Sequence, residues 1–137
     1  MRGTGFASLG AVVAIGLLLS ATALPAQGVE VRKRDASVSP NGEVRIAVHS
    51  IYGDDCKGTQ KAKIRLTRAP ANGTIALRHS LERANRPAER CHGRDVPGIG
   101  VFYKPKPGFS GKDRVVYERQ TPAGKPVFSV DASISVR

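Results

Sequence analysis

The chain has 137 residues, a formal net charge of +11 and no tryptophan. This length leaves room for one ordinary domain and excludes a second of similar size, while the missing tryptophan restricts the core to valine, isoleucine, leucine, tyrosine and phenylalanine. The positive charge favours polyanionic neighbours, although the basic residues are scattered along the chain rather than collected in one long run.

The chain begins with the three-part pattern of a secretory signal. Arg2 supplies a positive charge, a short apolar run follows at Ala11–Leu19, and small residues come next. The apolar run is too short for a membrane span, which needs about 20 residues. We therefore predict a signal peptide over residues 1–26, cleaved after Ala23 or Ala26. The processed protein is expected to be exported, either periplasmic or extracellular, with no transmembrane span.

After residue 28, apolar and polar residues alternate with a period of two, which is typical of half-buried β-strands. In the second such segment Val44, Ile46 and Val48 are predicted to face the core, with His49 on the opposite face. Two sheets packed face to face satisfy the pattern, so we predict that residues 27–137 form one all-β antiparallel sandwich of about seven strands. The other predicted inward residues are Ala62, Ile64, Leu66, Ile75, Leu77, Val101, Tyr103, Val115, Tyr117, Phe128, Val130, Ala132, Ile134 and Val136.

The segment from His79 to Gly100 departs from this alternation. Ser80 is predicted to cap a single helical turn that Pro87 ends, and the rest is predicted to be a surface loop. The loop is the densest positive stretch of the chain, and guanidinium groups suit phosphate, sulfate and carboxylate ligands. The alternative is a solvated loop whose glutamates pair locally with arginine. The predicted binding residues are Arg78, Arg83, Arg86, Arg90 and Arg94.

Cys56 and Cys91 both lie beyond the signal, and an even cysteine count in an exported protein predicts a disulfide between them. Two alternatives use the same residues: a thiol nucleophile beside His92, and a zinc site that adds His79 and His92. Neither has the residue arrangement that such sites require. A calcium site at Asp54-Asp55 lacks a third carboxylate nearby in sequence. We therefore predict no catalytic residue, no metal site and no cofactor.

Two ordered motifs connect these strands to a known family. The first is Pro70-Ala-Asn-Gly-Thr-Ile, and the second has the pattern Tyr-x-Pro-x-x-Gly-Phe-x-Gly-x-Asp-x-x-x-Tyr. Both resemble the bacterial cadherin-like and immunoglobulin-like domains of surface proteins, and the resemblance covers most of the chain from about Asn41 onward. It implies an immunoglobulin-like (cadherin-like) sandwich. The residues that match the second motif are Tyr103, Pro105, Gly108, Phe109, Gly111, Asp113 and Tyr117.

The chemistry of the second motif indicates structural roles. Gly108 and Gly111 permit tight turns around Phe109, which is predicted to plug one end of the core. Asp113 is predicted to accept hydrogen bonds from turn amides, and Tyr117 to give its hydroxyl a backbone partner. The chain differs from the family in its single copy of the domain, its long arginine-rich segment and its cysteine pair. The resemblance therefore implies fold more than function.

The expected function is a binding or scaffolding role at the cell envelope or surface, without catalysis. The expected partners are an acidic polysaccharide, lipopolysaccharide or an envelope protein, contacted through the Arg78–Arg94 loop. That loop contains no aromatic residue on which a base could stack, so nucleic acid is not an expected partner. The alternatives are an accessory domain or inhibitor that acts on a partner hydrolase, and a small enzyme.

Overall fold

The computed structural model describes residues 28–50, 52, 55–58, 62–85 and 90–137. The predicted signal peptide and its cleavage site lie outside these residues. The described residues form seven strands and no helix, so none of them belongs to a helix that could cross a membrane. The strands are β1 (Val31–Val38), β2 (Val44–Ser50), β3 (Lys63–Arg68), β4 (Gly73–Arg83), β5 (Asp95–Pro105), β6 (Gly111–Gln120) and β7 (Pro126–Val136).

The strands form a four-stranded sheet in the order β1-β7-β6-β3 and a three-stranded sheet in the order β2-β5-β4. This arrangement confirms the predicted all-β sandwich. Neighbouring strands are antiparallel except for β1 and β7, which run parallel. The antiparallel prediction is wrong for that pair, because β1 joins the sheet beside the last strand of the chain. The intervening strands supply the long connection that a parallel pair requires.

The core lies between the two sheets and is built from alternate residues of β5, β6 and β7. Val101 and Tyr103 of β5 pack with Val115 and Tyr117 of β6, and all four are 0% exposed. Each fully buried side chain of this size contributes about 1.5–3 kcal/mol. The inward row predicted for β7 is confirmed, since all of its members are at most 9% exposed: Phe128, Val130, Ala132, Ile134 and Val136.

A bulge in β2 reverses the direction of the residues that follow it. The register of β2 against β5 shifts between Arg45 and Ala47. Beyond the shift His49 faces the core and Val48 faces outward, so the predicted directions of these two residues are wrong. A bulge inserts one extra residue into a strand, and the alternation continues beyond it in the opposite phase.

Half of the segment predicted to be a helical turn and a long loop is strand. β4 continues to Arg83, and it pairs with β5 in unbroken register from Gly73 opposite Pro105 to Arg83 opposite Asp95. The helical turn predicted at Ser80 is therefore wrong, and the connection between the strands is confined to residues 84–94. Pairing with β5 outweighs the weak helical preference that a capping residue and its neighbours supply.

Candidate anion-binding cleft

Along β1 the inward-facing side chains change from apolar to cationic. Ala36 packs against the core, and Arg34 and Arg32 follow it on the same face of the strand. Their register partners in β7 are Ala132 and Val130, which both face the core. Because side chains alternate across a strand, both arginines project toward the opposite sheet at one end of the sandwich.

The same change from apolar to cationic residues occurs on β6, and on β2 the inward row ends in a titratable imidazole. On β6, Arg119 follows the buried Tyr117 on the inner face, with Phe128 as its register partner. On β2, the bulge turns His49 inward, where its Nε2 atom lies 2.9 Å from the Tyr117 hydroxyl. The Tyr117 hydroxyl was predicted to bond to a backbone group. Its partner is the His49 side chain, so that prediction is wrong. The His49 and Phe128 rings are also in contact, with their centroids 5.6 Å apart.

These cations line an open cleft of about 1260 Å³ between the two sheets, and we call it the arginine cleft. Its size exceeds that of a typical small-molecule pocket and suits part of a longer ligand. Among the lining residues that the structure describes, Glu82 is the one carboxylate, and its Oε2 atom accepts a hydrogen bond of 3.4 Å from Ser50. The arginine and histidine residues that line the cleft are Arg32, Arg34, Arg45, His49, Arg83, Arg90 and Arg119.

Two groups in the cleft have lowered pKa values, so their surroundings disfavour the protonated, positively charged form. Burial, together with the charges of Arg119, Arg34 and Arg32, lowers the pKa of His49 from 6.5 to about 4. Burial and the neighbouring Arg32 charge also lower the pKa of Arg119. Burial is the larger cause of both shifts and disfavours any charge, while the neighbouring guanidinium groups add a positive potential that attracts anions.

In the part of the chain that the structure describes, the cleft arginines other than Arg32 form no ion pair with a carboxylate. Arg32 is the exception: its Nε atom lies 3.0 Å from Glu30, and its guanidinium stacks over the Phe128 ring at 3.8 Å. Arg34, Arg83 and Arg90 are exposed, whereas Arg119 is half-buried, so the uncompensated cost of desolvating a charge applies to Arg119. Within the described ranges, no ion pair involves Arg34, Arg83, Arg90 or Arg119.

The outer face of the four-stranded sheet shows the opposite arrangement. Asp131 forms two hydrogen bonds with Arg114, at 2.7 and 2.8 Å, and a further one with Lys33. Arg114 and then Lys33 hold the pKa of this carboxyl below its usual range. Asp131 thus neutralises Lys33 and Arg114, whereas the cleft arginines other than Arg32 are not paired with a carboxylate that the structure describes.

The structure separates the arginines that were predicted to bind together. Arg83 and Arg90 line the arginine cleft. Arg78 lies on the outer face of the three-stranded sheet, where it forms an ion pair with Glu43 and stacks over the Phe102 ring at 4.1 Å. The prediction of one continuous arginine-rich loop is therefore wrong, because the strand alternation of β4 sends Arg78 and Arg83 to opposite faces of the sheet.

The predicted disulfide between Cys56 and Cys91 is present, with their Cα atoms 5.5 Å apart. It joins the segment after β2 to the connection between β4 and β5, beside the arginine cleft. Cys91 is 2% exposed and packs with Val96 in a second, smaller core. Arg94 lies 3.9 Å from the Cys56 sulfur, and Arg86 lies outside the described residues.

At the other end of the sandwich, the family-like motif surrounds a buried carboxylate. Asp113 accepts hydrogen bonds from the Ala71 amide at 3.0 Å, the Asn72 amide at 2.9 Å and the Tyr103 hydroxyl at 2.9 Å. Burial alone would raise the pKa of Asp113, but hydrogen bonds from these and other groups hold it below its usual value. Gly73 is required here, because a Cβ atom would lie 2.3 Å from the Tyr103 ring.

The remaining residues of the motif form the turn between β5 and β6. Pro105 is buried at the end of β5, and Phe109 packs against the main core. Gly108 and Gly111 have positive φ angles of 76° and 134°, which residues with a Cβ atom rarely adopt. All of these contacts stabilise the closed end of the sandwich, away from the arginine cleft.

Four residues of the cleft were not predicted from the sequence to belong to one site: Arg32, Arg34, His49 and Arg119. A signal for the first two is present, because two arginines separated by a single residue lie on the same face of any strand. The direction of His49 depends on the bulge, and its meeting with Arg119 depends on the packing of the two sheets. Within the described ranges, no group of three or more His, Cys, Asp and Glu side chains could hold a metal ion.

Comparisons of the chain with protein-family models, with curated proteins and with solved structures find no match.

Proposed function

We propose that this protein is a non-enzymatic exported domain of the immunoglobulin-like (cadherin-like) type that binds anionic ligands in its arginine cleft. One observation carries the proposal: several arginines line one cleft between the sheets, and apart from Arg32 they form no ion pair with a carboxylate that the structure describes. A sandwich interior is normally filled by apolar residues, and substituting cations there lowers stability. Such a departure from good packing is typical of a functional site.

The ligand chemistry follows from the guanidinium groups. Each presents several N–H donors in a plane, which match the oxygens of phosphate, sulfate or carboxylate groups. Several such groups spread along one cleft favour a ligand with several negative charges over a single small anion. An acidic polysaccharide at the envelope, or the phosphorylated head group of lipopolysaccharide, has this chemistry, and we propose these as the ligands.

The proposed site is tested by a charge-matched comparison. One variant replaces Arg34, Arg83 and Arg119 with Gln, and a control variant replaces three arginines that lie outside the cleft. Binding of each variant to heparin and to lipopolysaccharide is measured at two salt concentrations. The control residues are Arg65, Arg68 and Arg137.

The cleft variant is expected to lose about tenfold or more in affinity, because charge-assisted hydrogen bonds contribute about 1.5–3 kcal/mol each. The control variant loses the same formal charge and should change affinity by less than about threefold, since exposed charges are screened beyond about 8–10 Å. Wild-type binding should weaken as salt rises. An equal loss in both variants would show that binding depends on total charge, and the proposed site would be wrong.

A further inference from the structure

One side of the sandwich is open where β3 and β4 form the edges of their sheets. The four-stranded sheet ends at β3 and the three-stranded sheet ends at β4, and a groove of about 450 Å³ lies between them. On the opposite side, the edge strands β1 and β2 lie close together. The smaller sheet is one strand narrower than the sheet it faces, and the shortfall lies on the side of β3 and β4.

The residues beside this groove face inward but remain exposed. Leu77 pairs in register with the buried Val101, so it projects from the inner face of β4, yet it is 49% exposed. Leu81 follows on the same face and is 63% exposed. Across the groove, Leu66 pairs with the buried Tyr117 and is 43% exposed. These leucines have the direction of core residues without a strand to cover them.

The backbone edge of β4 is also open to pairing. The strand runs for 11 residues in unbroken register with β5, and it contains no proline, lysine or bulge. Edge strands usually carry such features, because a long regular edge pairs readily with another strand. The edge strands β2 and β3 do contain bulges, at Arg45/Ala47 and Leu66/Arg68. Among the described strands, β4 therefore combines an edge with no further pairing and an inner face that exposes two leucines on either side of His79.

We infer that an extended segment of a partner protein binds this side of the sandwich as an added strand beside β4. The segment has apolar side chains at alternate positions, which cover Leu77, Leu81 and Leu66, and its backbone completes the three-stranded sheet. Its remaining side chains are acidic, because Lys63 lies at the groove and the whole chain carries a charge of +11; Arg65 also lines the groove but already pairs with Glu118. A second copy paired through its own β4 would bring its β3 to the same groove, so a single segment fits the gap better.

This inference is independent of anion binding in the arginine cleft and has its own probe. The probe is a fluorescent nine-residue peptide in which valine alternates with glutamate and threonine. A control peptide has the same composition with its valines grouped together. Binding is measured by fluorescence anisotropy with the wild-type protein and with a variant carrying Leu77→Asn and Leu81→Asn. A matched variant carries Val31→Asn and Val127→Asn, which replace valines that are 56% and 41% exposed elsewhere.

The alternating peptide is expected to bind at least about tenfold more tightly than the grouped peptide, because only alternation presents all valines to one face. The leucine variant should lose that preference, while the valine variant and an Arg34, Arg119→Gln variant should keep it. Equal binding of both peptides, or unchanged binding by the leucine variant, would overturn the inference. A concentration-dependent dimer in sedimentation, abolished by the leucine substitutions, would overturn it in favour of a second copy.

Discussion

The two ends of the sandwich are built from the same strands but handle polar groups in opposite ways. At the closed end, Asp113 is surrounded by amide and hydroxyl donors, and Tyr103 is fully buried beside it. At the cleft end, Arg34 and Arg119 project between the sheets without carboxylate partners. The closed end therefore stabilises the fold, whereas the cleft end departs from stable packing. The difference also makes opposite predictions for substitutions at the two ends.

The largest effect is expected at the closed end. Tyr103→Ala removes a fully buried ring and should lower the free energy of unfolding by about 3–5 kcal/mol, measured by denaturant unfolding. Tyr103→Phe keeps the ring and removes the hydroxyl that donates to Asp113, so it should lower the free energy by only about 1–2 kcal/mol. Similar midpoints for wild type and Tyr103→Ala would mean that this end does not stabilise the fold.

Removal of the disulfide should have the next largest effect and should lower both the stability of the fold and its affinity for heparin. Replacing Cys56 and Cys91 with Ala is expected to lower the free energy of unfolding by about 2–4 kcal/mol, because the unfolded chain is no longer constrained. The connection that contains Arg90 is tied by this bond, so heparin affinity should also fall. Unchanged affinity in the folded double variant would show that the disulfide has no role in positioning the cleft.

A smaller effect is expected from the titration of His49. Its pKa of about 4 in the folded protein lies below its ordinary value of 6.5, so the unfolded chain takes up a proton first as the pH falls. Stability should therefore be unaffected by this group above pH 6.5 and should decrease as the pH falls from 6.5 toward 4, by about 1–3 kcal/mol in total.

The control for this prediction is His49→Gln, which should flatten the pH dependence of the denaturation midpoint between pH 4.5 and 6.5. The carboxyls of Asp113 and Asp131 have lowered pKa values, so their contributions are lost at lower pH, outside this window. If the slope in this window is the same with and without His49, the group does not have the environment described above. A bound anion should raise the pKa of His49, so heparin affinity should rise as the pH falls through the same range.

The parts of the fold that sequence could predict are those where local pattern and packing agree. The inward row of β7 alternates without interruption, and every predicted member is buried. The disulfide could be predicted from an even cysteine count and the predicted signal peptide alone. A helical turn was wrongly predicted at Ser80 because this residue resembles a helix cap. The pairing of β4 with β5 is a long-range contact that local residues do not reveal.

The cleft could be predicted only in part. Arg32 and Arg34 share a face whenever β1 is a strand, but no local pattern says that this face is the inner one. The apolar Val31 favours the opposite assignment, in which Val31 faces the core and the two arginines face solvent. In the structure Val31 is 56% exposed. His49 was assigned to the wrong face because the alternation of apolar and polar residues in the sequence does not reveal a bulge. A site assembled from both sheets therefore became visible only once their packing was known.

The most direct test of the central claim is denaturant unfolding of Arg119→Met with and without heparin. Methionine keeps a long flexible side chain and removes an inward-facing charge, so the ligand-free variant should be more stable than wild type by about 1 kcal/mol. Heparin should raise the unfolding midpoint of wild type through binding to the folded state, and should raise that of the variant much less. A variant that is less stable than wild type, yet is stabilised equally by heparin, would contradict the account of the cleft as a binding site maintained at the expense of stability.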